Sequence, residues 1–382
     1  MKQPERYVEP RLTQYLFDRA SRTLTPLSGT FELSPVCNLA CKMCYVRKTP
    51  AEVAASPRPP VGLIQWLSIA EQARDAGMLY LLLTGGEPFL WQDFWPLYER
   101  LSTMGFLISI NSNGTLLDEA RVARLAEHPP TRINITLYGA GNETYEALCG
   151  RSGMFDRVDR AITLLRQAGI LVKLNCSLTP HNAGDLERIV GYAAERDLIL
   201  EVNTYMFPPL RRDPAMVGRN DRFSPAETAH YHMERYRLQR GEEDFTRFLQ
   251  NILRGIAPPP GLDEDCVDPV DGTISCRAGN ASFWVTWDGW LTPCGMMPKP
   301  RIELKGKPFR EAWSELTRVS SAQRLYGTCT GCQNRHICHS CAAMAMAETG
   351  SVSGIPKYLC EMVWAMRTEA ARLLAERQKP TT

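Results

Sequence analysis

The chain has no excess of charge of either sign: 44 lysines and arginines face 42 aspartates and glutamates, a formal net charge of +2. Such a balance offers no electrostatic footprint for nucleic acid or for an anionic membrane surface. Short basic groups such as Arg211-Arg212 read as solvated surface. Long hydrophobic runs are also missing. Stretches such as Leu79–Leu83 fall far short of a membrane span. The first residues, Met1-Lys2-Gln3-Pro4-Glu5-Arg6, are polar and hold no apolar core of a signal peptide. These absences imply a cytoplasmic protein with neither a nucleic-acid nor a membrane partner. Fixed-period repeats and long low-complexity tracts are absent as well.

The abundance is in cysteine: thirteen in 382 residues. A reducing compartment does not favour disulfides, and an odd count cannot be fully paired, so clustered cysteines point to metal binding. With 44% hydrophobic residues, the chain can build one large domain and a smaller one.

Short β-forming runs alternate with helical patterns. The runs at Thr30–Ser34, Leu79–Thr84, Phe106–Asn111, Ile133–Leu137, Leu171–Cys176 and Leu198–Tyr205 predict strands, and Leu116–Leu125, Val158–Gln167 and Leu186–Glu195 predict helices. This is the pattern of an α/β fold with a parallel sheet. Six units fit residues 30–210, a partial (β/α)6 TIM-like barrel rather than the eight-unit form. Residues 1–29 read as an N-terminal extension and 211–265 as a helical linker. Its helix would start at Ser224-Pro225-Ala226-Glu227, a cap with proline in the first turn. Pro258-Pro259-Pro260-Gly261 breaks the chain, and eight of the thirteen cysteines lie beyond it, in a cysteine-rich part spanning 266–382. Tyr358–Glu376 predicts a final helix packed on that part.

Cys37, Cys41 and Cys44 follow the first predicted strand with the spacing C-x3-C-x2-C. One loop with three thiolates suits a four-iron cluster with one iron left open. A zinc loop short of one ligand is the alternative. The loop closely resembles the signature of the radical S-adenosylmethionine (radical SAM) superfamily. That resemblance implies a 4Fe–4S cluster whose open iron is chelated by SAM. The cluster's electron would cleave SAM to a 5′-deoxyadenosyl radical that takes a hydrogen from substrate. The residue before the third cysteine is commonly aromatic in the family but is Met43 here, with Tyr45 adjacent. Leu83-Thr84-Gly85-Gly86-Glu87-Pro88 matches the family segment that meets the amino end of SAM, which implies Gly85, Gly86 and Glu87 as contacts. By position, Tyr45, Asn113, Thr136 and Asn175 are further implied contacts, alternatives being turn or packing roles. Strand C-terminal ends are where such a barrel builds its site.

The second group comprises Cys276 and Cys294, then Cys329-x2-Cys332-x5-Cys338-x2-Cys341, then Cys360. Paired C-x2-C units also suggest zinc, although five intervening residues are few for zinc knuckles. The pattern resembles the SPASM domain, which carries two auxiliary iron–sulfur clusters. Carried over by position, Cys329, Cys332, Cys338 and Cys360 would hold one cluster. Cys276, Cys294 and Cys341 would contribute to the other, completed by Cys266 or left open at one iron. Cys149 and Cys176 read as small buried hydrophobes.

SPASM relatives imply a peptide or protein substrate and oxidative cross-linking, with an electron donor such as flavodoxin or ferredoxin. Only 36 residues precede Cys37, too few for a fused leader-binding module, so a separate leader-binding protein is expected. Sulfatase-activating relatives carry an aspartate base where this chain has Gly295. The alternatives are oxidation or decarboxylation of a tetrapyrrole or other small molecule, and a zinc-binding interaction protein without catalysis.

Overall fold

The computed structural model describes residues 11–255, 276–338 and 340–377. Six parallel strands follow one another in space as in sequence: β1 (Ser28–Glu32), β2 (Tyr80–Thr84), β3 (Leu107–Ser112), β4 (Arg132–Thr136), β5 (Val172–Ser177) and β6 (Ile199–Asn203). Alternation along each strand sorts the side chains. Leu83, Ile110, Ile135, Leu174 and Val202 point into one large core beneath helices such as Phe94–Ser102, Met154–Gln167 and Leu186–Glu195. The opposite, concave face carries Glu32, Thr84, Asn134, Thr136, Lys173, Asn175 and Glu201. Burying one such leucine fully stabilises the sheet by about 1.5–3 kcal/mol, so this alternation fixes the register.

The expected strands all form, with ends displaced by one or two residues. β1 shifts most, because the chain after Glu32 leaves the ladder to cross β2. Leu33 N still donates to Thr84 O, but the carbonyls of Ser34 and Val36 receive the amides of Gly86 and Glu87.

Beyond residue 276 the chain rejoins the same sheet. β7 (Ser282–Val285) pairs in parallel with β1, and β8 (Trp290–Thr292) and β9 (Ile302–Glu303) continue antiparallel, giving nine strands in the order β6-β5-β4-β3-β2-β1-β7-β8-β9. The helical stretch expected after residue 224 is two helices, Pro225–Gln239 and Glu242–Arg254, divided at Arg240-Gly241. The cap at Ser224 is reciprocal: Ser224 Oγ accepts from Glu227 N at 3.3 Å, and Glu227 Oε2 accepts from Ser224 N at 2.9 Å. Met233, Phe245, Phe248, Leu249 and Ile252 form a second core with Leu359, Met362, Val363 and Met366 of the final helix, Lys357–Arg377. Among the described residues, no helix is long and apolar enough to cross a membrane.

Candidate active site

The cysteine loop is laid over the end of β2. A Cβ on Gly85 would stand 2.3 Å from Ser34 O, and one on Gly86 would stand 2.4 Å from Val36 O. Both obstacles are backbone, so only glycine lets the loop cross here. Glu87 is completely buried and turned toward β3. Its carboxylate accepts from Asn113 N at 2.8 Å, Ser112 Oγ at 2.9 Å and Phe89 N at 3.3 Å. Burial outweighs these donors and pushes its pKa up to about 7. Glu87 thus braces the site from behind instead of lining its surface.

Asn113 links that brace to the loop. Its Nδ2 donates to Asn38 Oδ1 at 2.9 Å and approaches Cys37 Sγ at 3.6 Å, while its Oδ1 accepts from Thr115. Asn38 in turn donates to Thr115 Oγ1 at 2.7 Å. Thr136 and Asn175 are paired neighbours across β4 and β5, and Asn175 pairs with Glu201. Met43 is buried in the core, whereas Tyr45 remains partly exposed.

The three loop cysteines lie within electrostatic reach of one another. Burial, chiefly, pushes the Cys37 thiol up to about 12, with Glu87 and the other two cysteines adding to it; the Cys44 thiol is also raised, chiefly by burial. Cys41 is lowered, first by a hydrogen bond with Cys149 and then by one with Tyr138. Cys149 is a small buried core residue, as expected, and it also stands beside Cys41. It lies under the loop, with its carbonyl accepting from Ala40 N at 2.9 Å.

Grouped buried thiols oppose one another's ionisation unless cations take up the charge, which is the chemistry of a metal–thiolate site. The surroundings fit such a group. Backbone amides donate to sulfur from Leu39 to Cys37 and from Arg47 to Cys44, each at 3.4 Å. Arg47 also favours the charged form of Cys41, and its buried Nε has no hydrogen-bond partner among the described residues. Arg212 Nη1 donates to Cys44 O at 3.0 Å.

The C-terminal cysteines fall into two neighbourhoods. Cys341 senses Cys294 and Cys276, and burial pushes its thiol up to about 12. Cys276 and Cys294 each accept a backbone N–H at 3.4 Å, from Ala278 and Met296. Cys338 senses Cys360 and Cys329, and Cys329 senses Cys360 and Cys332. No disulfide joins any two of the twelve described cysteines. Cys266 lies outside the described residues. Among those described, no three side chains close on a single-ion position; the thiols are grouped by their mutual electrostatics.

Three further groups are assembled from partners far apart in the sequence. On the concave face, Lys173 Nζ pairs with Glu201 Oε2 at 2.5 Å, and Asn134 donates to Asn111 at 2.7 Å. At the rim, His181 stands between Lys42 (3.2 Å) and Asp221 (2.8 Å). At the end of β1, Glu32 is gripped by Arg211 and by Trp284. Arg211 is thus mostly buried, not the solvated surface its sequence suggests. Trp284 also explains Gly295: a Cβ there would lie 2.7 Å from the indole ring.

Comparison with known proteins agrees with this fold. The family model described as Radical SAM superfamily matches residues 31–193. An AdoMet-dependent heme synthase of Methanosarcina barkeri is 24% identical over 86% of this chain and 94% of its own. The mycofactocin maturase MftC of Mycolicibacterium smegmatis is 25% identical over 97% and 90%. A probable GTP 3′,8-cyclase of Metallosphaera sedula is 32% identical over 73% and 83%. Among solved structures, anSMEcpe with bound AdoMet and the Kp18Cys peptide superposes with a TM-score of 0.67 at 19% identity, covering 92% of this chain and 99% of that one.

Proposed function

The chain belongs to the radical SAM superfamily, and we propose that within it the enzyme modifies a peptide or protein by hydrogen abstraction and oxidative cross-linking. As a member it is an iron–sulfur enzyme that binds a 4Fe–4S cluster and SAM. In our reading Cys37, Cys41 and Cys44 hold that cluster. Bound there, the cluster supplies the electron that cleaves SAM and so starts the family's hydrogen-abstracting chemistry.

The chain's own residues hold and shape the site. Gly85 and Gly86 let the cysteine loop sit close to the end of β2, where backbone meets the amino end of SAM. Glu87 and Asn113 lock that arrangement from behind. Thr136 and Asn175, on the concave face, are the further SAM contacts, with Tyr45 beside the loop. Cys329, Cys332, Cys338 and Cys360 hold one auxiliary cluster; Cys276, Cys294 and Cys341 hold the other, with Cys266 or an open iron. These would take the electron that cross-linking releases. A cytoplasmic location, a flavodoxin or ferredoxin as donor and a separate leader-binding protein complete the proposal.

One observation carries the choice of substrate. The cations Lys173 and Arg211 on the concave side are each neutralised by a carboxylate, Glu201 and Glu32, and the two others near the site, Arg47 and Arg212, stand against the loop cysteines. That suits an uncharged side chain better than a macrocycle bearing several carboxylates. The relation to a peptide maturase over nearly the whole chain supports it. The near full-length match to heme synthases favours a second reading, oxidation of a tetrapyrrole side chain.

The test supplies reduced enzyme and SAM with a panel of short cysteine-containing peptides, including any encoded beside the gene, or with an iron porphyrin bearing propionates. Peptide losing one pair of hydrogens per 5′-deoxyadenosine formed supports the proposal. Turnover of the porphyrin alone, with loss of carbon dioxide, would replace it with the second reading.

A further inference from the structure

The Arg211-Arg212 dipeptide touches both cysteine regions. Arg212 donates to the carbonyl of Cys44, while Arg211 Nη1 donates to the carbonyl of Gly295, next to Cys294, at 2.9 Å. The Arg211 guanidinium also holds Glu32 with two parallel bonds of 2.8 and 2.7 Å. Trp284 Nε1 gives that carboxylate a third donor at 2.9 Å. Glu32 is fully buried, and the Arg211 side chain is only 12% exposed. Arg211 bonds the carbonyl of Gly295, the residue after Cys294, and its charge favours the thiolate of Cys294. Tyr45, next to Cys44, lies in the field of Glu32, Arg211 and Cys294 together.

An ion pair buried this deeply adds little net stability over apolar side chains of similar volume, because both charges lose their hydration. What an apolar pair would not provide is a fixed cation beside Cys294. We propose that Arg211 is a positioning residue that sets the reduction potential of an iron–sulfur cluster bound through Cys294, with Glu32 and Trp284 fixing its guanidinium in place. The inference rests on our reading that Cys276, Cys294 and Cys341 hold an auxiliary cluster. When such a cluster takes up one electron, its charge falls by one. A neighbouring cation stabilises the reduced form, and a neighbouring carboxylate opposes it.

The sign of the change separates this role from a purely structural one. The full-length, reconstituted protein is titrated with a chemical reductant and followed by electron paramagnetic resonance. The relevant signal is identified by its loss in Cys294→Ala. Glu32→Gln, which leaves Arg211 uncompensated, raises the midpoint potential; Arg211→Met lowers it; Arg211→Lys stays closest to wild type. Shifts in one common direction, or none while the signal persists, overturn the proposal. Should Arg211→Met fail to fold, the Glu32→Gln shift decides by its sign, upward in support and unchanged or downward against. A signal that survives in Cys294→Ala removes the cluster assignment itself, and the inference with it.

Discussion

Glu348→Ala tests how firmly the segment carrying Arg211 and Arg212 is tied to the C-terminal cysteine region. Glu348 lies on the helix Ala342–Thr349 and pairs with Arg222 at 2.5 and 3.0 Å, the two side chains being 5% and 6% exposed. Tyr205 OH donates to the same carboxylate at 2.5 Å, and Gly218 N donates to Ala347 O at 2.9 Å. Removing one partner of a buried pair costs about 3–5 kcal/mol, because the other charge is left unpaired. Arg222 would keep the carbonyls of Met206 and Gly218 and the face of Tyr358 at 3.9 Å, which places the loss near the lower limit, about 3 kcal/mol. At roughly 2.1 cal/mol/K of unfolding entropy per residue, a chain of 382 residues has about 0.8 kcal/mol/K, so the melting temperature should fall by about 4 °C. The assay is an anaerobic thermal melt of Glu348→Ala, Arg222→Met and the pair Arg222→Met with Glu348→Met. The double variant should recover much of the loss, since no charge is left buried alone. A fall of under about 1 °C for Glu348→Ala, or a double variant as unstable as the sum of the singles, would refute the reasoning.

Other perturbations act nearer the loop. Gly86→Ala drives a Cβ into the carbonyls of Val36 and Pro35, so iron content after reconstitution should drop along with 5′-deoxyadenosine yield; full iron loading would contradict the role given to this glycine. Gly295→Ala should cost about 1–3 kcal/mol by overpacking against Trp284, and Trp284→Leu in the same chain should restore part of it in a denaturant titration. Glu87 gives a pH signature. Its pKa is raised from 4.5 to about 7 in the fold, so between those values the native state holds a proton that the unfolded chain has released. Stability from this group therefore declines as pH rises through that window, by about 3 kcal/mol in all. The stability of Glu87→Gln relative to wild type should climb correspondingly from pH 4.5 to 7, and a pH-independent difference would rule out the raised pKa.

The six parallel strands and the loop of Cys37, Cys41 and Cys44 are legible because their signals are local. Strands buried against a helix layer spell themselves as short apolar runs, and those three thiols share one eight-residue segment, whereas the grouping of the C-terminal cysteines, some of them tens of residues apart, follows from the family resemblance. Other features arise from partners far along the chain. Arg211 meets Glu32, and Cys149 meets Cys41, only after the sheet has been assembled. Glu32 left one trace, a carboxylate amid the apolar residues of a strand, which calls for a buried partner without naming it. β7, β8 and β9 escape notice because they are four, three and two residues long, too short for alternation to register, and β7 is specified by its edge pairing with β1. The break at Arg240-Gly241 hides inside a helical pattern because both flanking helices face the same core.

The central claim is that Cys37, Cys41 and Cys44 hold a SAM-binding cluster. Its most direct measurement is 5′-deoxyadenosine formation by protein reconstituted with iron and sulfide without oxygen, then given SAM, a strong reductant and candidate substrate. The account predicts 5′-deoxyadenosine from wild type and none from Cys41→Ala, with iron lowered by one cluster's worth. Undiminished formation by Cys41→Ala, or failure of the wild-type protein to bind iron at all, would contradict it.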